Sequence, residues 1–150
     1  MNEKTQENKI LLAVCKAEAG TKGLYEVYLI NGLDIDIKKL QMNYYGSYEA
    51  RYSDELGEGV MVMQEKYFYD IPTKSCVLVD SIDSFDNSTA LNKHTFRFAG
   101  VFNKNEEFSI VFEFYKKSFI FGLFNNVIPI LNKRGMLCKE GTRSLSGGIC

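Results

Sequence analysis

His94 is the only histidine in the chain, so a Cys–His or Ser–His–Asp machinery would have to use it, with Cys15, Cys76 or Cys138 as the nucleophile. It falls in a strand-like stretch beside Lys93 with no nucleophile motif near it, and Ser146-Gly147-Gly148 is not a nucleophile elbow. The expectation is an exposed side chain without a chemical task. The four cysteines, Cys15, Cys76, Cys138 and Cys150, are far apart and form no CxxC pair. With one histidine they make no zinc set, and they lack the spacing of a secreted disulfide scaffold. Scattered free thiols in a reducing compartment fit them better.

Asp80, Asp83 and Asp86 recur every third residue in a Ser- and Asn-rich stretch. Oxygen ligands at that density could hold Ca²⁺, yet the spacing is not that of an EF-hand and no bidentate Glu follows. Asp and Ser also favour turns by bonding to nearby backbone, which is the plainer reading. Asp34 and Asp36 would share one face of a strand, but acid–base work needs a pocket that raises one of their pKa values. Gly20, Gly23 and Gly32 lack the spacing of a phosphate loop. No metal and no cofactor is expected.

Tyr44, Tyr45, Tyr48 and Tyr52 crowd nine residues around Gly46, Ser47 and Arg51. Tyrosine covers contact area at low entropic cost and keeps a polar tip, so Tyr, Ser, Gly and Arg together characterise binding surfaces. Part of the cluster could equally be strand core with the rest rimming a sheet. Tyr44, Tyr45, Tyr48, Arg51 and Tyr52 are the interaction candidates.

Charge and composition narrow the setting. Eighteen Lys and Arg balance 19 acidic residues, and the basic pairs Lys38-Lys39, Lys116-Lys117 and Lys133-Arg134 read as ordinary solvated surface, so nucleic acid is not an expected partner. No stretch approaches the roughly 20 apolar residues of a membrane span. Leu12-Ala13-Val14-Cys15 resembles the cleavage box of bacterial lipoproteins, but Val14 stands where a small residue is needed. The cytoplasm is the expected compartment. Eleven Phe, nine Tyr, no Trp and only two Pro lean towards pleated, half-buried surfaces.

The elements that would position these residues follow from periodicity. Residues 1–8 read as a tail, 9–140 as one domain and 141–150 as a second tail. Lys9–Glu18 and Leu24–Ile30 form a first hairpin, with Tyr25, Val27 and Leu29 on one face. Asn31-Gly32 marks a turn. A strand is expected to end at Gly46, Tyr48–Gly59 reads as a loop, and Val60–Ile71 returns as strand up to Pro72. Ser75–Val79 is a short strand before a loop over 80–92. Lys93–Phe102 and Phe108–Tyr115 alternate so cleanly around Asn103–Glu106 that a hairpin is predicted. Phe119–Lys133 segregates its apolar residues onto one helical arc, with Ser118 as N-cap and Gly135 as terminator. Pro129 opposes a helix, and a hairpin turning at Asn125-Asn126 is the competing reading. The predicted fold is mainly β (α+β): an antiparallel β-sandwich or curved sheet with one C-terminal amphipathic helix packed on it.

Gly147-Gly148 stands two residues from the end of a polar stretch and resembles the C-terminus of ubiquitin-like modifier precursors. Glycine serves there because an activating enzyme must thread backbone without side chains. The resemblance covers these two residues and implies trimming of Ile149 and Cys150. It also implies a β-grasp domain, but no good helix directly follows the first hairpin. The leading expectation is a non-catalytic protein–protein interaction or assembly protein, of the inhibitor, immunity or structural-subunit kind. Its partner would be another protein or a second copy. The alternatives are a small enzyme or ligand-binding β-barrel, and a modifier precursor.

Overall fold

The computed structural model describes residues 9–16, 24–52, 55–83, 93–115 and 126–145, with side chains placed at 9–16, 25–46, 64–82, 93–114, 127–138 and 140. Alternation of apolar and polar residues produces ten strands among them. These are β1 (Ile10–Lys16), β2 (Leu24–Asn31), β3 (Ile37–Tyr52), β4 (Glu55–Ile71), β5 (Ser75–Asp83), β6 (Lys93–Phe102), β7 (Glu107–Tyr115), β8 (Asn126–Val127), β9 (Arg134–Leu137) and β10 (Lys139–Leu145). They form two antiparallel sheets of five, ordered β5-β2-β1-β9-β8 (sheet A) and β10-β7-β6-β3-β4 (sheet B).

Period-two alternation decides what lies between the sheets. Leu12, Val14, Val27, Leu29 and Val79 from sheet A meet Leu40, Met42, Phe96, Phe98, Ile110, Phe112 and Phe114 from sheet B in one buried cluster. The β6–β7 hairpin supplies its aromatic centre, as its pattern predicts, with Phe98 and Phe112 edge to face at 6.1 Å. Gly100 stands directly opposite Phe108. A Cβ there would lie 2.5 Å from the Phe108 ring, so the glycine is what lets that ring fold across β6.

One end of the sandwich is tied by buried Asn31. Its Nδ2 donates to Ile35 O (3.0 Å), Pro72 O (3.1 Å) and Ile71 O (3.4 Å), while its Oδ1 accepts from Leu33 N at 3.1 Å. Asp36 Oδ1 accepts from Thr73 N at 2.8 Å, and Asp34 pairs with Lys74 Nζ at 3.7 Å. The two aspartates therefore fasten the β2–β3 link to the β4–β5 turn. They belong to that link rather than to a strand.

The sheets are continuous with each other along one side, where Cys138 alone separates β9 from β10 and its N–H donates to Leu12 O at 2.9 Å. β10 then pairs with β7 as far as Leu145↔Phe108, with a register shift between Glu140 and Arg143, so residues 141–145, which composition places in a tail, belong to a strand.

Three expectations need correction. No helix is present among the described residues, and 126–134 of the predicted helix forms β8, a turn and the start of β9, with Val127↔Arg134 in register. Pro129, lacking an N–H, sits at the turn, closed by Ile128 N→Lys133 O at 2.8 Å and Asn132 N→Ile128 O at 2.9 Å. Ile130 takes φ 70° in a tight turn from Leu131 N to Pro129 O. The apolar arc is real but serves another purpose: Ile128, Ile130 and Leu131 cover Ala13, Cys15 and Ile30 on the outer face of sheet A. The competing hairpin at Asn125-Asn126 falls largely outside the described residues, which omit 116–125; Asn126 itself is a strand residue of β8, paired with Gly135. Second, the polar stretch 48–59 is not a loop but the far half of the β3–β4 hairpin. Third, β5 continues through Asp83, so Asp80 is a strand residue.

Candidate functional site

Among the described residues, the β3–β4 hairpin outruns its neighbour. β6 pairs with β3 from Ile37↔Phe102 to Ser47↔Lys93, whereas β4 pairs with it out to Tyr52↔Glu55. The last five pairs form a two-stranded ribbon of about 17 Å, taking about 3.4 Å per residue. The tyrosine cluster lies along this ribbon and its root, but alternation divides it. Tyr44, Tyr48 and Tyr52 fall at positions of the core-facing side of sheet B, and Tyr45 and Arg51 at positions of the outer side.

At the root, Tyr44 Oη and His94 Nδ1 share a 2.6 Å hydrogen bond. His94 stacks on Phe114 (4.9 Å), and Tyr44 leans on Phe96 (4.9 Å). His94 is only 4% exposed, which corrects the expectation of an exposed, idle side chain: it faces inward from β6 beside Phe96. Burial lowers its pKa from 6.5 to about 4. Burial, and then the negative charge of Asp80, push the Tyr44 phenol up to about 12. At neutral pH both are uncharged, and both are tuned away from proton transfer.

Asp80 owes its position to a bulge. Tyr28 pairs with Leu78 and Val27 with Asp80, leaving Val79 as the extra residue. Val79 and Asp80 consequently both turn inward, at 1% and 7% exposure. From β4, Lys66 Nζ donates to Val79 O at 3.1 Å and meets Asp80 Oδ1 at 3.4 Å, and Ser81 N donates to the same oxygen at 2.8 Å. A second bulge, at Met63 of β4, lies between the Tyr44↔Gln64 and Tyr45↔Val62 pairs. The β4–β5 seam holds a cleft of about 230 Å³ lined by Lys66, Phe68, Leu78, Val79, Asp80 and Ser81. Its two charges are spent on each other.

The outer side of sheet B carries the exposed aromatics. Tyr67 (47% exposed) and Tyr69 (61%) stand on β4 opposite Gln41 and Lys39. Lys39 Nζ lies 5.6 Å from the Tyr67 ring centre, and the Arg97 guanidinium 5.7 Å from that of Tyr45. Gln41 Nε2 donates to Glu65 Oε2 at 2.6 Å. Sequence reasoning missed Tyr67 and Tyr69, although the signal was present: Tyr67-Phe68-Tyr69 alternates within a strand whose Phe68 packs on the core.

Cys15 is buried on the outer face of sheet A, and burial raises its pKa to about 11. Burial also raises Cys76, and raises Cys138 well above the usual thiol range. None is poised as a thiolate nucleophile. Among the described residues no group of three or more His, Cys, Asp or Glu could hold a metal ion. Among them, no helix is long and apolar enough to cross a membrane. Tyr48, Arg51 and Tyr52 are placed by backbone register alone, while Gly147, Gly148 and Asp86 lie outside the described residues. No protein-family model, curated protein or solved structure matches this chain.

Proposed function

We propose that this chain is a non-catalytic interaction or assembly protein whose contact surface is the tyrosine-bearing outer side of sheet B, continuing onto the β3–β4 ribbon. The observation that carries this reading is the set of Tyr45, Tyr67 and Tyr69 beside Lys39 and Arg97 on one solvated face. Large amphipathic rings with a guanidinium and an ammonium among them match the composition of interface hot spots. The interior argues against a ligand-holding barrel, because Phe96, Phe98, Phe112 and Phe114 fill the space between the sheets. The seam cleft is smaller than a typical small-molecule site of about 300–1,000 Å³. For a modifier, only Ser146 would separate the paired Leu145 from Gly147-Gly148, a short lead for an activating enzyme. Protonated thiols at Cys15, Cys76 and Cys138 suit the cytoplasm.

The test is in-cell crosslinking followed by mass spectrometry, comparing wild type with a Tyr45→Ala/Tyr67→Ala/Tyr69→Ala chain. These outward side chains can be removed without opening the core, so circular dichroism should not change. Loss of the crosslinked partners with the fold retained supports the surface. Recovery of the same partners in the same yield refutes it.

A further inference from the structure

Residues 128–133 lie as a strap across the outer face of sheet A. The chain leaves the sheet after Val127, turns at Pro129 and rejoins it at Arg134, the partner of Val127. Between those points Ile128, Ile130 and Leu131 cover Ala13, Cys15 and Ile30. The cover is close. A Cβ at Gly135 would stand 2.7 Å from Cys15 Sγ and 3.2 Å from Ile128 Cγ1, so the thiol is enclosed between the strap and the backbone of β9, and Cys15 is 1% exposed. The strap's backbone bonds run from Ile128 N to Lys133 O, Asn132 N to Ile128 O and Leu131 N to Pro129 O. They hold its own shape and can travel with it. Its far end is fastened to β2 by a polar latch. Lys133 Nζ donates to Tyr28 Oη at 3.2 Å, lies 5.3 Å from the Tyr28 ring centre and stands 3.7 Å from Glu26 Oε1. Tyr28 Oη in turn donates to that oxygen at 2.8 Å. The Lys133 side chain is 45% exposed, so water and salt compete for the latch. Next to it, Ile130 holds φ 70°, a region that a β-branched side chain resists.

We propose that 128–133 is a latched strap that swings open as a unit on the Val127↔Arg134 pair while the sandwich stays folded, and so gates the Cys15 thiol and the apolar face around it. Segments that open locally are those whose release leaves the main core intact, and this one qualifies. Ala13, Cys15, Ile30 and Ile128 form a cluster of their own, on the other side of sheet A from the Phe96, Phe98 and Phe112 core. Opening gives up a solvated ion pair and three apolar contacts. It releases Ile130 from a left-handed conformation that only the closed strap imposes. What it bares is Ala13, Cys15 and Ile30, flanked by Leu11 and Leu137. This face belongs to sheet A and the tyrosine surface to the outer side of sheet B, so the gate stands or falls independently of the proposed contact surface.

The test is the rate at which N-ethylmaleimide labels Cys15 in the full chain, read apart from the other thiols by peptide mapping, in urea below the unfolding transition. Wild type should label slowly, at a rate that does not change with urea, because opening the strap exposes little surface. Lys133→Ala and Glu26→Gln each cut the latch and should speed labelling at least about threefold, with the same flat urea dependence. Lys133→Arg keeps the charge and should label like wild type. Raising the salt concentration should speed labelling of wild type and leave Lys133→Ala unchanged, since the ion pair is what salt screens. The urea and salt series on wild type need no substitution, so they hold even if a variant folds poorly. A rate that climbs with urea along the slope of global unfolding means that Cys15 is reached only when the whole sandwich opens, and overturns the strap. A rate that neither latch variant alters overturns it too.

Discussion

Acidification should weaken this fold through His94 in a window the structure defines. Its pKa is 6.5 when solvated and about 4 in the sandwich, where burial beside Phe96 and Phe114 disfavours the imidazolium. Between those values the unfolded chain binds a proton that the folded chain does not, so stability rises with pH across the window. Well above pH 6.5 this group costs nothing. As pH falls, the loss from this one residue grows to roughly 1 kcal/mol at pH 5.5 and roughly 2–3 kcal/mol at pH 4.5. It levels off at roughly 3–4 kcal/mol once both states are protonated. The assay is urea denaturation at pH 4.5, 5.5, 6.5 and 7.5, for wild type and His94→Gln. Glutamine keeps a hydrogen-bonding group near Tyr44 Oη but does not titrate. Carboxylates are common to both chains, so the difference between the two pH profiles isolates the imidazole. Parallel profiles, agreeing within about 0.5 kcal/mol from pH 7.5 to 4.5, would falsify the assignment of His94 as a buried neutral base.

Asn31→Ala removes the amide that serves Ile35 O, Ile71 O and Pro72 O and should cost about 2–3 kcal/mol by stranding buried acceptors; an unchanged urea midpoint would count against that network. Gly100→Ala forces a methyl to 2.5 Å from Phe108 and should destabilise by about 1–3 kcal/mol through overpacking. Calorimetry showing a melting temperature at or above wild type would contradict the close approach. Cys15, with its thiol at about 11, should hold roughly one thiolate in a thousand at pH 8. Peptide mapping after brief iodoacetamide treatment of native protein should find it unlabelled, and rapid modification would place it elsewhere.

What the sequence discloses here follows from the reach of each interaction. The β6–β7 hairpin was readable because its signal is local: Phe96 and Phe98 face Phe112 and Ile110 across a short turn. Amphipathicity over 119–133 was real too, yet period alone does not separate a helix from a chain that lays Ile128, Ile130 and Leu131 over a sheet face. Pro129 was the residue that carried the distinction. The 48–59 stretch read as loop because a solvated ribbon lacks the one-sided apolar pattern of a half-buried strand. Its pairing shows only when both strands are seen together. The Val79 bulge lies further from view, since Asp80 becomes a buried partner of Lys66 only through pairing with β2 and packing against β4. His94 shares its face with Phe96 and Phe98 and stands opposite Phe114 in the same hairpin, but the Tyr44 that closes over it comes from β3, 50 residues away. Among the interaction candidates, the cluster itself was visible, and its division between two faces was not.

The junction of β1 with β9 bears on how the protein comes into being. Ala13 pairs with Leu137 and Val14 with Met136, so sheet A closes only when segments more than 120 residues apart meet. During synthesis, β1 must leave the ribosome and wait for more than 120 further residues before that side of it finds its partner. At roughly 5–20 residues per second the wait lasts several seconds or more. All-β domains with such non-local pairing fold in roughly milliseconds to seconds, so the delay is set by translation and not by the chain's own search. Over that interval the apolar run Ile10–Cys15 has only β2 beside it, which makes this edge the place where a holding chaperone would act on the nascent chain.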